Sequence, residues 1–464
     1  MEKNKNESLT GNIVKVLSAN FWVAVVGFVG SFIFPKILSI EGYALYHTFT
    51  LYVSYIGILH LGFPSGMAIK YAGKNYETLD KNQYKSEVTL LLFTLCTFTA
   101  IAAVISLAVK EVMVGYITLA ILPVCMIASY KSLYQAWSRF KEYTRVSTIC
   151  ATFVPVLALI YYLLAKNLPG DVYILIYLIV YWVVAIILIS MDVKSIRKAQ
   201  RNKWFTVENF NTEKVGISLM LGNYINTLFV SADKQFVKIF FGTTEFAFYS
   251  FGMSMQALMT VFITSVAQPL FPAMAKGKFK DEDYNKIMKL LLVFGSFSGC
   301  AYFATSIIVR YFIKKYIGSL EIVGIYFVVF PAMAVINCLY INLYKIKGLM
   351  KQYLITLIGI LATAIILNMS FIHFVGSYAG VAIATTLTYY IWFMLGFRQF
   401  LFLKLQFRDI VYLIIYTVGF FSITRNFTEF LGIAVYLVFI LILAMLCYKE
   451  LLLGYMKKIL KFNP

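Results

Sequence analysis

Polar side chains recur at helical spacing in an otherwise apolar stretch near the middle of the chain, NYINTLFVSADKQFVK. Residues three or four positions apart share one face of a helix, so five of these side chains form a stripe about 22 Å long. The stripe consists of Asn223, Thr227, Ser231, Lys234 and Lys238, and Asp233 lies beside it. Its amide, hydroxyl and ammonium groups suit an anionic ligand such as a diphosphate or an acidic sugar.

Two interpretations of this stripe are open. Polar groups that face lipid would remain without hydrogen bonds, which favours a stripe that faces the protein interior or a water-filled cavity. Alternatively, Lys234 and Lys238 extend to the outer face of the membrane that the helix crosses, while Asp233 pairs with a neighbour.

The first apolar stretch repeats the pattern and favours the cavity. Asn20 and Ser31 occupy the corresponding face, and Lys36 follows just after Pro35. We therefore expect Asn20, Ser31 and Lys36 to bind substrate together with the central stripe and Asp233.

Basic residues also stand at the cytoplasmic ends of several apolar stretches, namely Lys15, Lys70, Arg139 and Arg145. They are either anchors at the membrane interface or the mouth of the cavity, where they would attract an anionic head group.

Catalytic and metal-binding patterns are not found in the sequence. It contains no phosphate-binding loop, no GxSxG and no HExxH, and the acidic residues of the early outer links, Glu41, Glu111 and Asp171, are not paired. The three histidines and six cysteines show no metal-ligand spacing, and we read the cysteines as small buried apolar residues. We expect neither an enzyme, nor a metal site, nor a cofactor.

The elements that carry these residues are membrane-spanning helices. Of the 464 residues, 61% are hydrophobic and 13% are charged. Runs of about 20 apolar residues recur along the whole chain, each long enough to cross a bilayer as a helix. We predict an all-α, polytopic membrane protein with about fourteen transmembrane helices, of which the thirteenth, DIVYLIIYTVGFFSI, is the shortest.

The net charge of +20 is a topology signal before it is a binding signal. Most of the 41 lysines and arginines fall in links on the side that an even number of spans shares with both termini. The positive-inside rule then places both termini in the cytoplasm, with anionic lipids as the natural partners of the charge and no need for nucleic acid.

A polar link divides the chain. Residues 191–214 separate a six-helix bundle at 1–190 from a second six-helix bundle at 215–403, and residues 404–464 add two helices and a cytoplasmic tail. A shift of 203 residues aligns NFWVAVVG with NYINTLFV and YALY with FAFY. Because six is even, the second bundle would repeat the first in the same orientation.

Several segments together resemble the polysaccharide transporters of the multidrug/oligosaccharidyl-lipid/polysaccharide exporter superfamily. The most specific are Asp233 with Lys234, the following Tyr249, and LGFPSGMAIKYAGK with Gly62, Gly66 and Gly73. The resemblance implies two helical bundles around a central cavity that opens alternately to each side. It also implies a flippase for undecaprenyl-diphosphate-linked oligosaccharides in the bacterial inner membrane, with a polysaccharide polymerase as a further partner.

Two alternatives stay open. A multidrug or ion antiporter of the same superfamily would be expected to hold more acidic than basic residues in its core, whereas this core is basic. The lipid II flippases that this chain resembles in span number carry arginines in their first two spans, and this chain has none there. The sugars, the type of polymer and the driving gradient do not follow from the sequence.

Overall fold

The computed structural model describes residues 9–72, 74, 76, 79–197, 206–275, 277 and 279–460, and for residues 9–21, 195, 207, 208, 272 and 455–460 it describes the backbone alone. The described chain contains α-helices, short 3-10 segments and one π-helical segment, and no strand. It forms two compact units, Met1–Ser231 (unit 1) and Ala232–Pro464 (unit 2), and the boundary falls inside one continuous helix.

Unit 1 is built from seven helices and most of an eighth, among the residues that the structure describes. In chain order they are α1 Leu9–Ile37, α2 Ile40–Tyr55, α3 Phe63–Tyr71, α4 Lys81–Val109, α5 Val112–Ala136, α6 Phe140–Ala165, α7 Gly170–Ile196 and α8 Val207–Phe240. The predicted link at 191–214 is shortened by helices on both sides, since α7 continues to Ile196 and α8 starts at Val207; residues 198–205 lie outside the described part.

Unit 2 contains the last residues of α8 and the remaining described helices. These are α9 Thr243–Ala275, α10 Asp281–Ser296, α11 Ser298–Phe312, α12 Leu320–Val328, α13 Phe330–Val335, α14 Ile341–Ile346, α15 Met350–Val375, α16 Tyr378–Gln399, α17 Phe407–Asn426 and α18 Glu429–Leu460. A 3-10 segment, Lys314–Ser319, precedes α12, and the π-helical segment Ile336–Tyr340 joins α13 to α14.

The prediction of an all-α, polytopic membrane protein is confirmed. Among the described residues, eleven helices are long and apolar enough to cross a membrane, or up to thirteen if each of two bent pairs is one span. The described apolar part of α1, Trp22–Ile37, is a further, shorter apolar helix. The predicted number of about fourteen agrees approximately with this set, and α17, at 20 residues, is the short thirteenth span. All six cysteines are free and lie in helical segments; Cys125, Cys338 and Cys447 are buried as predicted, whereas Cys150 and Cys300 are half-buried and Cys96 is exposed.

The second span is broken, which the hydrophobic pattern alone did not indicate. The chain bends by 59° between Ile40–His60 and α3. Leu61 and Gly62 both have positive φ at the bend, where glycine is favoured because it lacks a Cβ atom. Pro64 follows in the first turn of α3, the helix position that tolerates proline best.

A second bend of 48° separates Lys314–Val328 from Phe330–Ile346. Pro331 stands at the start of α13, where its missing N–H interrupts the helical hydrogen bonds. Gly295 of α10 approaches the same point so closely that an added Cβ atom would lie 2.5 Å from the Cα atom of Pro331. The bend is therefore packed against a second helix rather than left to the lipid.

Candidate functional site

The predicted stripe lies on α8, where its hydroxyl groups bond along the helix. Thr227 donates to the carbonyl oxygen of Asn223 at 3.0 Å, and Ser231 donates to that of Thr227 at 2.7 Å. These bonds confirm that the three residues share one helix face. Asn223 is exposed, Thr227 is half-buried and Ser231 is buried, so the side chains become less exposed along this part of the stripe. Side chains bonded to their own helix in this way also tend to bend it.

Asp233 is the centre of a buried polar cluster in unit 2, and we call this cluster the Asp233 cluster. Tyr249 donates to its Oδ2 atom at 3.0 Å and Tyr326 at 2.5 Å, and the two phenolic oxygens are 2.6 Å apart. Thr385 contacts the same oxygen at 3.4 Å, and the backbone N–H of Lys234 donates to Oδ1 at 3.0 Å.

Four helices therefore meet at one carboxylate, because these residues come from α8, α9, α12 and α16. Asp233 is only 3% exposed, and Tyr249 and Tyr326 are fully buried. A buried carboxylate is stable only when several donors replace its water shell, and here at least two tyrosine hydroxyls and one amide do so. The cluster fixes the end of α8 within unit 2.

The two lysines of the stripe are half-buried. Lys234 follows Asp233 directly, and the Nζ atom of Lys238 lies 5.3 Å from the centre of the Phe246 ring. The ring of Phe246 is fully buried in α9. The ammonium group of Lys238 thus lies against a buried aromatic ring, at a distance typical of a cation–π contact.

The candidates on α1 are only partly visible. Lys15 and Asn20 lie in the segment whose side chains the structure does not describe. Ser31 is half-buried and donates to the carbonyl oxygen of Gly27 at 2.8 Å, the same pattern as Thr227 and Ser231 on α8. Lys36 is exposed in the last turn of α1.

Lys70, one of the predicted mouth residues, belongs to a buried hydrogen-bond network around Glu87 in unit 1, and we call it the Glu87 network. Its Nζ atom is 2.6 Å from Oε1 of Glu87, whose side chain is completely buried. The other oxygen of Glu87 accepts a hydrogen bond from Tyr71 at 2.6 Å. Gln83 and Thr212 contact Oε1 at 3.3 and 3.4 Å. Lys70 is thus held by a carboxylate that the sequence analysis had not singled out.

Arg139 and Arg145 are placed differently. Arg139 forms two hydrogen bonds with Glu142, at 2.6 and 3.1 Å, and its guanidinium carbon lies 5.2 Å from the centre of the Tyr76 ring. Arg145, six residues further along the chain, is exposed. Among the described side chains of the predicted mouth, Lys70 and Arg139 therefore pair with different carboxylates, and Lys15 lies outside the described side chains.

An aromatic and carboxylate cluster near Arg139 was missed by the sequence analysis. Three tyrosine hydroxyls converge on the buried Asp192 of α7: Tyr84 and Tyr130 at 3.2 Å and Tyr76 at 3.4 Å. Trp137 stacks edgewise against Tyr76 with ring centres 4.7 Å apart. The frequency of tyrosine between residues 71 and 134 was the available signal, but spacing along the chain does not show which hydroxyls share an acceptor.

No group of three or more His, Cys, Asp or Glu side chains among the described residues could hold a metal ion. Each unit instead contains a buried carboxylate that is bonded to hydroxyl groups and lies beside a lysine. Such groups can bind, orient and hold charge.

A family model described as a polysaccharide biosynthesis protein matches residues 9–278, more than half of the chain. The chain belongs to this family. The match includes α1 to α9 and thus the whole stripe, the Glu87 network and Asp233. The predicted resemblance to polysaccharide transporters is confirmed at the level of the family.

Two solved structures share the fold of this chain. A structure titled lipid II flippase MurJ, inward closed conformation, superposes with a TM-score of 0.68 at 16% identity, over 95% of this chain and 100% of the other. A structure of the MATE multidrug transporter DinF-BH gives a TM-score of 0.50 at 13% identity, over 86% and 96% of the two chains. No curated protein sequence matches this member of the family. At these identities the similarity shows the fold and does not transfer a substrate.

Proposed function

We propose that the protein is a flippase that carries undecaprenyl-diphosphate-linked oligosaccharides from the cytoplasmic to the outer leaflet of a bacterial inner membrane by alternating access, for capsule or O-antigen synthesis. One observation carries the proposal: a chain of the polysaccharide biosynthesis family has, over nearly its whole length, the fold of a lipid II flippase. A lipid-linked sugar is the substrate class that satisfies both properties.

The chemistry of the stripe supports this substrate class. Asn223, Thr227 and Ser231 present amide and hydroxyl groups, and Lys234 and Lys238 follow on the same face with positive charge. A sugar diphosphate requires such a combination, because hydroxyl groups need neutral partners and phosphates favour ammonium groups. In this proposal Ser31 and Lys36 contribute from α1, Asn20 lies beyond the described side chains, and Asp233 fixes the lysine-bearing end of α8.

The residues at the ends of the spans have a smaller part in the proposal. Lys15, Lys70, Arg139 and Arg145 would attract the head group when it enters from the cytoplasm. Among the described side chains, the pairing of Lys70 with Glu87 and of Arg139 with Glu142 leaves Arg145, which is exposed, as the strongest candidate for a first contact.

A second candidate function is transport of lipid II, supported by the higher of the two TM-scores. A third is export of organic cations, supported by the fold of the multidrug transporter. The basic stripe favours both anionic lipid substrates over organic cations, because a cation would meet Lys234 and Lys238 on the same face.

Reconstitution distinguishes these candidates. The purified full-length protein would be placed in liposomes that contain one fluorescent substrate at a time: undecaprenyl-diphosphate oligosaccharide, lipid II, or a cationic rhodamine dye. Flipping is measured as the fraction of label that becomes accessible to a membrane-impermeant quencher. We expect transfer of the oligosaccharide lipid at a rate clearly above that in protein-free liposomes. Faster transfer of lipid II would assign the second function, and movement of the cationic dye alone would refute the proposal.

A further inference from the structure

The beginning of α8 is joined to α3 and α4 by two kinds of contact at one place. The first is a direct approach of two backbones. A Cβ atom added to Gly216 of α8 would lie 2.0 Å from the carbonyl oxygen of Gly62. One added to Gly66 of α3 would lie 2.0 Å from the carbonyl oxygen of Thr212. No side chain larger than hydrogen fits at this crossing, so the two helices cannot separate or slide without losing it.

The second contact is the Glu87 network, which lies beside the crossing. Glu87 of α4 joins Lys70 and Tyr71 of α3 to Thr212 of α8 through its two carboxylate oxygens. Because the carboxylate is completely buried, the loss of any of these partners would expose a charge to a medium that cannot solvate it. The network therefore resists opening more strongly than a surface ion pair would.

A further pair of contacts extends the junction toward the start of α8. Asn209 is completely buried; its amide donates to Ser86 at 2.9 Å and accepts from Gln83 at 2.6 Å. Thr206 accepts the backbone N–H of Asn209 at 3.2 Å, which closes the first turn of the helix. Residues 206–216 thus contact α3 and α4 of unit 1 in three ways: by close approach of the backbones, through the Glu87 carboxylate, and through the Asn209 amide.

The far end of the same helix is held in unit 2 by the Asp233 cluster. One continuous helix therefore has a polar anchor in each unit, about 17 residues apart from Gly216 to Asp233. An anchor that must persist during transport and a gate that must open make opposite demands on such a contact. The observations favour an anchor, because opening the backbone crossing would also separate Thr212 from the completely buried Glu87 carboxylate beside it.

We propose that residues 206–216 are a permanent anchor of α8 on unit 1, and that Glu87 is the positioning residue that holds it. The anchor stays closed in every state of the transport cycle. This inference rests on the proposed flippase function only for its assay. Glu87 then acts through the position of α8 and not by contact with the substrate.

A covalent bond across the anchor tests whether it opens. In the full-length protein, Ser86→Cys with Asn209→Cys replaces two side chains whose polar atoms are 2.9 Å apart, so a disulfide or a short thiol cross-linker can join them. We expect the cross-link to form in membranes and flipping to be equal before and after reduction. Flipping that stops on cross-linking and returns on reduction would show a gate and overturn the proposal, as would failure to cross-link. Each single-cysteine variant controls for the native cysteines.

A rescue experiment tests Glu87 separately. Glu87→Ala should lower the flipping rate roughly tenfold or more, because it removes several hydrogen bonds to a buried charge. In the Ser86→Cys, Asn209→Cys background, Glu87→Ala should leave the flipping rate unchanged while the cross-link is closed and lower it once the cross-link is reduced. Glu87→Ala that stays inactive with the cross-link closed would refute the positioning role.

Matched controls separate this proposal from the proposed function. Glu429→Ala removes another ion pair of 2.6 Å, to the half-exposed Arg310, and should leave the flipping rate unchanged. A wild-type protein that flips no lipid-linked sugar would refute the proposed function. A wild-type protein that flips, and is blocked by the cross-link, would refute the anchor alone.

Discussion

Replacement of Tyr326 by phenylalanine removes one hydroxyl group from the Asp233 cluster and leaves the ring in place. The hydroxyl oxygen is 2.5 Å from Oδ2 of Asp233 and 2.6 Å from the hydroxyl oxygen of Tyr249, in a fully buried position. A hydrogen bond to a charged group contributes about 1.5–3 kcal/mol to stability. We expect Tyr326→Phe to lower the free energy of unfolding by about 2 kcal/mol.

Tyr416→Phe is the matched control within unit 2. Tyr416 is also completely buried, but its hydroxyl donates to a neutral acceptor, the carbonyl oxygen of Phe327, at 2.9 Å. A neutral hydrogen bond of this kind contributes about 1 kcal/mol. Both changes delete one oxygen atom from a buried tyrosine, so the difference between them isolates the charge of the acceptor.

The assay is thermal unfolding of the purified full-length variants in detergent, followed by the loss of the monodisperse peak in size-exclusion chromatography. A difference of about 1 kcal/mol corresponds to roughly 2–4 °C in the midpoint for a unit of this size. Tyr326→Phe should therefore unfold at a lower temperature than Tyr416→Phe. Equal midpoints would refute the reasoning, because they would mean that the Asp233 carboxylate does not depend on this donor.

Two further predictions concern the lysines and the topology. If the side chains of Lys234 and Lys238 contact a desolvated anionic group, Lys234→Ala and Lys238→Ala should each slow flipping roughly tenfold to a hundredfold. Lys166 is exposed, and Lys166→Ala should not slow flipping. Equal flipping rates in all three variants would show that the lysines are interfacial anchors. Both termini and the α16–α17 link should be cytoplasmic. An impermeant thiol reagent added to intact cells should therefore leave Lys404→Cys unmodified and label Lys166→Cys. The reverse labelling pattern would invert the topology.

The approximate number and position of the membrane-spanning helices followed from the sequence because a membrane restricts the choice so strongly. Apolar runs of about 20 residues can cross a bilayer only as helices, since every backbone N–H and C=O must be bonded inside the segment. The short span α17 and the helix that carries the stripe were predicted for this reason. The bend at Leu61 and Gly62 was not, because LGFP is as apolar as the residues around it.

The polar site was only half visible in the sequence. The periodicity of Asn223, Thr227 and Ser231 places them on one face, and the hydrogen bonds along α8 confirm it. The partners of Asp233 could not be found in this way, because Tyr326 and Thr385 lie 93 and 152 positions further along the chain. No local spacing connects residues that far apart.

The sequence by itself determined that this protein is a helical membrane protein with a basic, polar stripe, because composition and local periodicity act within one helix. Only the tertiary structure decided which carboxylates are buried and which polar groups form hydrogen bonds with them. No local pattern in the sequence distinguishes Glu87, yet its side chain is completely buried and joins three helices. The physical reason is that burial and hydrogen-bond partners depend on how helices cross, and the crossing of α3 with α8 depends on glycines whose role becomes visible only where two backbones meet.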